Sequence, residues 1–121
     1  MSRPRMLLVE DDLASARSFA RLLQTAADVT LAASLREAEK VLRRPGELAV
    51  VWSDRHLGAP DDGCRVLVAA RAAHPGALLL LVTGTIEAPG LEVLPSRVAV
   101  FEKIRAHEAA DWVLERLHPS R

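Results

Sequence analysis

A chain of 121 residues is the size of one domain, and half of its residues are hydrophobic, which is enough to build a core. The 16 basic and 16 acidic side chains balance to a formal net charge of zero, so the composition provides no basic field that would favour direct binding to nucleic acid. The longest fully apolar run covers residues 77–82 and is far below the roughly 20 residues needed to cross a bilayer, so we expect no membrane insertion and a cytoplasmic location.

The first half of the chain alternates short apolar runs with stretches of helical period. Ser34 and Glu37 match a capping box, in which the serine oxygen accepts a hydrogen bond from a backbone N–H three residues on and the glutamate reaches back, so a helix should begin at Leu35. Pro45-Gly46 should end that helix. The predicted elements are a strand at 6–9, a helix from Leu13 to Leu23, a strand at 29–32 and this second helix.

The second half repeats the alternation around a longer loop. The apolar run 48–52 predicts a strand that leads to Ser53-Asp54, and the loop 55–62 that follows contains too many structure-breaking residues to be regular. The one cysteine, Cys64, lies at the start of the next helix, and a single cysteine excludes an internal disulfide. The predicted elements are a helix at 63–73, an interior strand at 77–82, no more than a short helix within 86–96, a strand at 98–101 and a last helix from Ala106 to Leu117.

Polar residues follow four of the five predicted strands. Strands that alternate with helices argue for an open parallel sheet with helices on both faces. Ligands of such sheets gather at the carboxyl ends of the strands, where the strand order reverses. Strands one, three, four and five end in Glu10-Asp11-Asp12, Asp54, Thr83 and Lys103, respectively. Acidic groups, a hydroxyl and an amine should therefore meet at one edge of the sheet.

Each of these residues also has an ordinary structural interpretation. An aspartate or a Thr-Gly pair often ends a strand by starting a turn. Residues 10–12 would stabilise the positive N-terminus of a helix without any further function, and Lys103 alone would be a solvated charge. Chance would seldom place all of these residue types at successive strand ends, so their combination favours a site.

Four motifs, taken in order, resemble those of the receiver domains of two-component response regulators, and the resemblance runs from Leu7 to Leu117. The motifs are Leu8-Val9-Glu10-Asp11-Asp12, Val51-Trp52-Ser53-Asp54, Val82-Thr83-Gly84 and Phe101-Glu102-Lys103. The resemblance implies one receiver domain over residues 1–121 with a flavodoxin-like, doubly wound α/β fold. Its five-stranded parallel sheet would have the strand order 2-1-3-4-5, and the proline-broken segment 86–96 would shorten the fourth helix.

The resemblance further implies a metal site at the acidic edge. Glu10, Asp11 and Asp54 would bind Mg²⁺, because clustered carboxylates repel one another unless a cation joins them, and hard oxygen ligands suit this ion. Asp12 is expected to cap the first helix instead of binding the metal.

The reaction implied by the resemblance is transfer of a phosphoryl group from a phosphohistidine to Asp54. The Thr83 hydroxyl and the Lys103 ammonium would bind phosphoryl oxygens, so the expected catalytic residues are Asp54, Thr83 and Lys103. We expect the chain to catalyse only its own phosphorylation and dephosphorylation. The expected partners are a sensor histidine kinase or histidine phosphotransferase and a downstream protein target. Kinase docking in the family uses mainly the first helix, where the candidates are Ala14, Arg17, Ser18 and Arg21.

The chain departs from the family pattern at three positions. Ile104 replaces the proline that usually follows the lysine, often after a cis peptide. Either this bond is trans and Lys103 approaches differently, or it is cis at a cost of about 2.5–4 kcal/mol. Gly58 replaces a common proline in a loop that is one residue longer than usual. Val100 replaces a switching aromatic residue, so we do not expect the usual coupling of Thr83 to a rotating ring.

Three functions remain open on the sequence alone. The first is a phosphorylatable receiver, either a single-domain regulator or part of a hybrid histidine kinase. It has no output domain of its own in the sequence and would act through a partner. The second is a phosphatase of the haloacid-dehalogenase type, but those enzymes carry the nucleophile after the first strand with a second aspartate two residues on, whereas Asp54 follows the third strand and precedes Arg55-His56. The third is a pseudo-receiver that binds a partner without being phosphorylated.

Overall fold

Five β-strands and four α-helices alternate in the part of the chain that this computed structural model describes, residues 3–84, 86 and 91–118. Two short 3-10 helices, at Leu91–Val93 and Lys103–Arg105, flank the last strand. The strands are β1 (Arg5–Val9), β2 (Asp28–Ala32), β3 (Val50–Asp54), β4 (Leu78–Thr83) and β5 (Val98–Glu102), and the α-helices are α1 (Leu13–Leu23), α2 (Leu35–Leu42), α3 (Asp62–Ala73) and α4 (Ala106–Leu117).

All five strands belong to one parallel sheet with the order β2-β1-β3-β4-β5, which confirms the predicted fold. In register, Leu8 of β1 lies between Leu31 of β2 and Trp52 of β3. The order reverses at β1, because β2 lies on one side of it and β3 on the other. The crevice at the carboxyl ends of β1 and β3 is therefore the place where this type of sheet binds ligands.

Two hydrophobic layers enclose the sheet. Side chains alternate between its faces, so Leu7 and Val51 pack with buried residues of α2 and α3, while Met6 and Trp52 pack with those of α1 and α4. The Trp52 ring contacts Phe19 of α1, with the ring centroids 5.3 Å apart. Because both faces are covered, the interior strands must be apolar at every position, and this explains the uninterrupted apolar run that marks β4.

Side-chain caps define the start of the first two helices, as predicted. Asp12 accepts a hydrogen bond from the Ser15 N–H and caps α1. The Ser34 hydroxyl accepts from the Glu37 N–H at 3.1 Å. The Glu37 carboxylate accepts from the Ala33 N–H at 3.3 Å, so the reciprocal bond of the capping box reaches one residue before the serine.

Some boundaries differ from the prediction by one or two residues. β3 begins at Val50 because the Leu48 N–H donates to the buried His74 ring instead of to a neighbouring strand. α3 begins at Asp62 instead of at 63. Within the predicted short helix, the described residues form a 3-10 turn at Leu91–Val93, and the remaining part at 87–90 lies outside the described residues. In the described ranges, the helices are too short or too polar to cross a bilayer.

Candidate functional site

Three carboxylates meet at the carboxyl ends of β1 and β3. Val9 of β1 pairs with Ser53 of β3, so the residues that follow, Glu10 and Asp54, lie side by side at the sheet edge. One oxygen from each of Glu10, Asp11 and Asp54 lies within 4.8 Å of the other two. The structure therefore brings together the three residues that were predicted to bind metal.

The lysine that follows β5 also reaches this cluster. Lys103 Nζ lies 2.6 Å from Glu10 Oε1 and 3.3 Å from Asp54 Oδ2. The Lys103–Ile104 peptide is trans, so Lys103 reaches the cluster without the cis bond that often precedes the family's proline. Lys103 begins a 3-10 helix, and Ile104 points away with 83% of its surface exposed. The proline of the family pattern is thus not required to bring the Lys103 amine to the Asp54 carboxylate.

The electrostatics of the cluster are set by the burial of Glu10. Burial and the nearby Asp54 charge raise the pKa of Glu10 to about 7, although Lys103 and the Asp12 N–H both stabilise the carboxylate. Burial lowers the pKa of Lys103, but its contacts with Glu10 and Asp54 outweigh this effect, so the pKa is raised. Lys103 therefore carries its full charge at neutral pH, whereas Glu10 retains part of its proton in the absence of another cation.

The charge of the cluster fits a divalent cation. Three carboxylates and one ammonium leave two negative charges when all are ionised. The donors are all carboxylate oxygens, and Asp11 is exposed, which leaves the outer side open to water. Mg²⁺ prefers hard oxygen ligands and keeps several of its waters, so the residues present fit this ion. Asp12 caps α1, and its hydrogen bonds from Ser15 lower its pKa.

The predicted hydroxyl lies one strand further along the sheet. Asp54 of β3 pairs with Val82 of β4, and Thr83 is the next residue of β4 after Val82. Thr83 is the last residue of β4 and is buried. Its placement agrees with the predicted site, and its contact with a phosphoryl group stays a prediction. Val100, which replaces the aromatic residue of the family pattern, is partly buried and packs against the core on the side of α2 and α3.

The loop between β3 and α3 contains interactions that the sequence did not indicate. The Arg55 side chain is 2% exposed and its Nε lies 2.7 Å from Asp61 Oδ1. The Arg55 N–H donates to Asp54 Oδ1 at 2.8 Å. An arginine that follows a strand is usually exposed, so no local pattern predicts its burial.

Two glycines of the same loop are required by its backbone conformation and packing. Gly58 has a φ of 88°, and proline, with φ near −65°, is therefore excluded from this position. Gly63 packs so closely on the end of β3 that a Cβ atom would lie 1.8 Å from the Asp54 carbonyl oxygen. The loop is thus folded directly against the backbone of Asp54.

No protein-family model and no curated protein matches the chain. Among solved structures, a CheY-like response regulator receiver domain protein from Methanospirillum hungatei JF-1 is 22% identical, with a TM-score of 0.76 over 96% of this chain and 97% of that chain. A response regulator receiver protein from Sinorhizobium medicae WSM419 is 19% identical, with a TM-score of 0.78 over 96% and 98% of the two chains.

A third solved structure contains a modified aspartate. It is a response regulator protein from Burkholderia pseudomallei with a phosphorylated aspartic acid, a calcium ion and citrate, and it is 21% identical, with a TM-score of 0.72 over 95% of this chain and 73% of that chain. The present chain therefore has the fold of the response regulator receiver domains over nearly its whole length.

Proposed function

We propose that this chain is a phosphoacceptor receiver domain that takes a phosphoryl group from a phosphohistidine onto Asp54 and signals through a partner protein. One observation carries the proposal: carboxylate oxygens of Glu10, Asp11 and Asp54 lie within 4.8 Å of one another, with Lys103 Nζ 3.3 Å from Asp54. This cluster occupies the point where the strand order reverses, and the receiver-type fold supports the same function.

In the proposed reaction, a carboxylate oxygen of Asp54 attacks the phosphorus atom of the donor. The new O–P bond creates an acyl phosphate while the N–P bond breaks, and the imidazole nitrogen keeps the electron pair and takes up a proton. Attack of water on the phosphorus later releases phosphate and restores the carboxylate. Such transfers depend mainly on positioning and on neutralising the phosphoryl oxygens. The chain would thus catalyse only its own phosphorylation and dephosphorylation.

The acidic cluster would hold Mg²⁺ through Glu10, Asp11 and Asp54. When bound, the ion neutralises charge on the phosphoryl oxygens. Because burial raises the pKa of Glu10 to about 7, a bound divalent cation would favour its ionised form at neutral pH. The exposed Asp11 keeps the site accessible from solvent.

Two further side chains would neutralise the transferred group. The Lys103 ammonium stays charged at neutral pH and lies beside the acceptor, so it would bind one phosphoryl oxygen. The Thr83 hydroxyl at the end of β4 would donate to another. Because Lys103 reaches Asp54 through a trans peptide, the departure at Ile104 no longer favours the pseudo-receiver over the phosphoacceptor.

The phosphoryl donor would be a sensor histidine kinase or a histidine phosphotransferase in the cytoplasm. The predicted docking residues on α1 are all exposed: Ala14, Arg17, Ser18 and Arg21. They form the outer side of the helix next to the acidic cluster. The signal would pass to a downstream protein, without direct binding to nucleic acid.

Intact mass after incubation with Mg²⁺ and phosphoramidate tests the proposal. We expect the wild-type chain to gain one phosphoryl group, and Asp54→Asn to gain none. Asp111→Asn removes an exposed carboxylate from α4 and should behave like the wild type. Chelation of Mg²⁺ should abolish the gain.

The same samples distinguish the pseudo-receiver. Trp52 lies two residues before the acceptor on β3, so its fluorescence should report metal binding. Quenching by Mg²⁺ without any gain in mass would reject the phosphoacceptor function and favour the pseudo-receiver. A gain in mass that survives in Asp54→Asn would reject Asp54 as the acceptor.

A further inference from the structure

The residue directly after the acceptor is a buried arginine. Arg55 has 2% of its side chain exposed, and charged side chains are seldom buried this far unless they are paired. One of its partners is Asp61, with 2.7 Å between Nε and Oδ1. The ion pair joins the two ends of the loop that connects β3 to α3.

Asp61 has a conformation that its own helix does not explain. Its φ of 63° and ψ of 14° lie in the left-handed region, which residues other than glycine adopt infrequently. It occupies the N-cap position of α3, where an aspartate usually accepts a hydrogen bond from the first turn, yet its side chain makes no such bond. The carboxylate pairs with Arg55 instead, and the Asp61 N–H donates to His56 Nδ1 at 3.1 Å.

The backbone of Arg55 connects this loop to the acceptor. Its N–H donates to Asp54 Oδ1 at 2.8 Å, and its carbonyl accepts from the Gly63 N–H at 2.8 Å. The other acceptor oxygen, Oδ2, lies 3.3 Å from Lys103 Nζ. Each oxygen of the Asp54 carboxylate thus has its own partner, and the path of the loop determines where one of these partners lies.

We infer that Arg55 and Asp61 form a positioning pair for Asp54. Their ion pair closes the loop, which keeps the Arg55 N–H on Oδ1 and so orients the carboxylate between the metal ligands and Lys103. The effect of both side chains on Asp54 passes through the Arg55 amide, which donates to Oδ1. The inference deepens the proposed function and rests on it, because the orientation matters kinetically only if Asp54 is the acceptor.

Two substitutions at Asp61 distinguish the effect of losing the ion pair from the effect of changing the backbone conformation. Asp61→Asn removes the charge and keeps the shape. Asp61→Gly removes the carboxylate but readily adopts a φ of 63°, so it keeps the backbone path even if the asparagine variant does not fold. Asp62→Asn is the matched control, because Asp62 is the adjacent acid and pairs at 3.4 Å with Arg65, which is exposed.

Phosphorylation by phosphoramidate at saturating Mg²⁺ gives the kinetic test. We expect both Asp61 variants to lower the maximal rate constant about tenfold or more, because a small misplacement of a reacting group has a large effect on rate. Asp62→Asn should stay within about twofold of the wild type, since its partner Arg65 is 72% exposed and such a pair contributes little. Folded Asp61 variants with the wild-type maximal rate would overturn the inference.

The Arg55 amide resonance provides a readout that does not depend on phosphorylation. In ¹H–¹⁵N spectra of the Mg²⁺-free protein, we expect this amide to move upfield and to exchange faster with solvent in both Asp61 variants, but not in Asp62→Asn. An unchanged Arg55 amide would overturn the inference. If the wild-type chain gains no phosphoryl group, the proposed function fails, while the amide comparison still decides whether the pair orients Asp54.

Discussion

Gly63 has no room for a side chain, and this makes it the most sensitive glycine near the acceptor. A Cβ atom at this position would lie 1.8 Å from the Asp54 carbonyl oxygen, and that oxygen belongs to the backbone of β3 and cannot swing away. We predict that Gly63→Ala lowers the free energy of unfolding by about 1–3 kcal/mol or more, as overpacking does in other cores. It should also slow phosphorylation, because the acceptor strand must shift.

Gly76→Ala is the matched control for this substitution. A Cβ atom at Gly76 would meet no atom within 4 Å, so the unfolding free energy should change by no more than about 0.5 kcal/mol. Urea unfolding of both variants measures the difference. Equal stability of the two variants would contradict the close packing of the loop on β3.

Glu10 should make the stability of the metal-free protein depend on pH. Burial raises the pKa of Glu10 from 4.5 to about 7 in the folded state, so the folded state binds more protons than the unfolded state between these values. Its stabilising contribution is complete below about pH 4.5 and is lost as the pH rises through about 7. Glu10→Gln cannot ionise and should lack this loss, which is on the order of 1–3 kcal/mol.

Urea unfolding with a chelator present, at pH 5.5 and pH 8, measures this dependence. The wild-type chain should lose more stability between the two values than Glu10→Gln does. Glu115→Gln replaces an exposed glutamate of α4 and should keep the wild-type dependence. A Glu10→Gln variant with the wild-type dependence would show that Glu10 does not titrate in this range.

At the level of individual residues, the sequence predicted the residues of the site better than the residues that position them. Glu10, Asp54 and Lys103 follow strands of one parallel sheet, and parallel strands bring their carboxyl ends to one edge whatever the loops do. Arg55 and Asp61 could not be predicted, because their pairing depends on a loop path that is set by the contact of Gly63 with β3. That contact is a product of tertiary packing and has no local pattern.

At the scale of elements, Arg71 connects α3 to the start of β5. Its guanidinium donates to four backbone carbonyls in two separate turns, those of Pro75, Ala77, Ser96 and Arg97. We predict that Arg71→Met lowers the free energy of unfolding by about 1–3 kcal/mol, since it removes hydrogen bonds from a charged donor, one of them to the partly buried carbonyl of Ala77.

Arg65→Met is the control for this prediction. Arg65 lies on the same helix but is 72% exposed and pairs with Asp62 at 3.4 Å, so its loss should change the unfolding free energy by less than about 1 kcal/mol. Chemical denaturation compares the two variants. A loss at Arg65 as large as that at Arg71 would contradict the role of the four carbonyls.

The start of a helix could be predicted where residues close in sequence determine it. The start of a strand was predicted less accurately where a residue distant in sequence determines it. Ser34 and Glu37 lie within one turn, so the capping box identified the first residue of α2 correctly. The start of β3 was wrong by two residues because the Leu48 N–H donates to His74, which is distant in sequence. The hydrophobic pattern of the sequence does not reveal that hydrogen bond.

At the scale of the whole molecule, the alternation of strands and helices predicts a parallel sheet, but the strand order needs more information. The order β2-β1-β3-β4-β5 came from the resemblance to receiver domains, and the structure confirms it. This order places β1 and β3 side by side, which is what brings Glu10 and Asp54 together. The acidic cluster is thus a property of the topology as much as of the residues.

The central claim is that Asp54 itself carries the acyl phosphate, and the most direct test is to locate the modification. After phosphorylation with Mg²⁺ and phosphoramidate, borohydride reduction converts an aspartyl phosphate to homoserine, and peptide mass spectrometry identifies the position. We predict homoserine at Asp54 in a Mg²⁺-dependent reaction, and none at Asp111, an exposed aspartate of α4. Homoserine at another aspartate, or at no residue, would contradict this assignment.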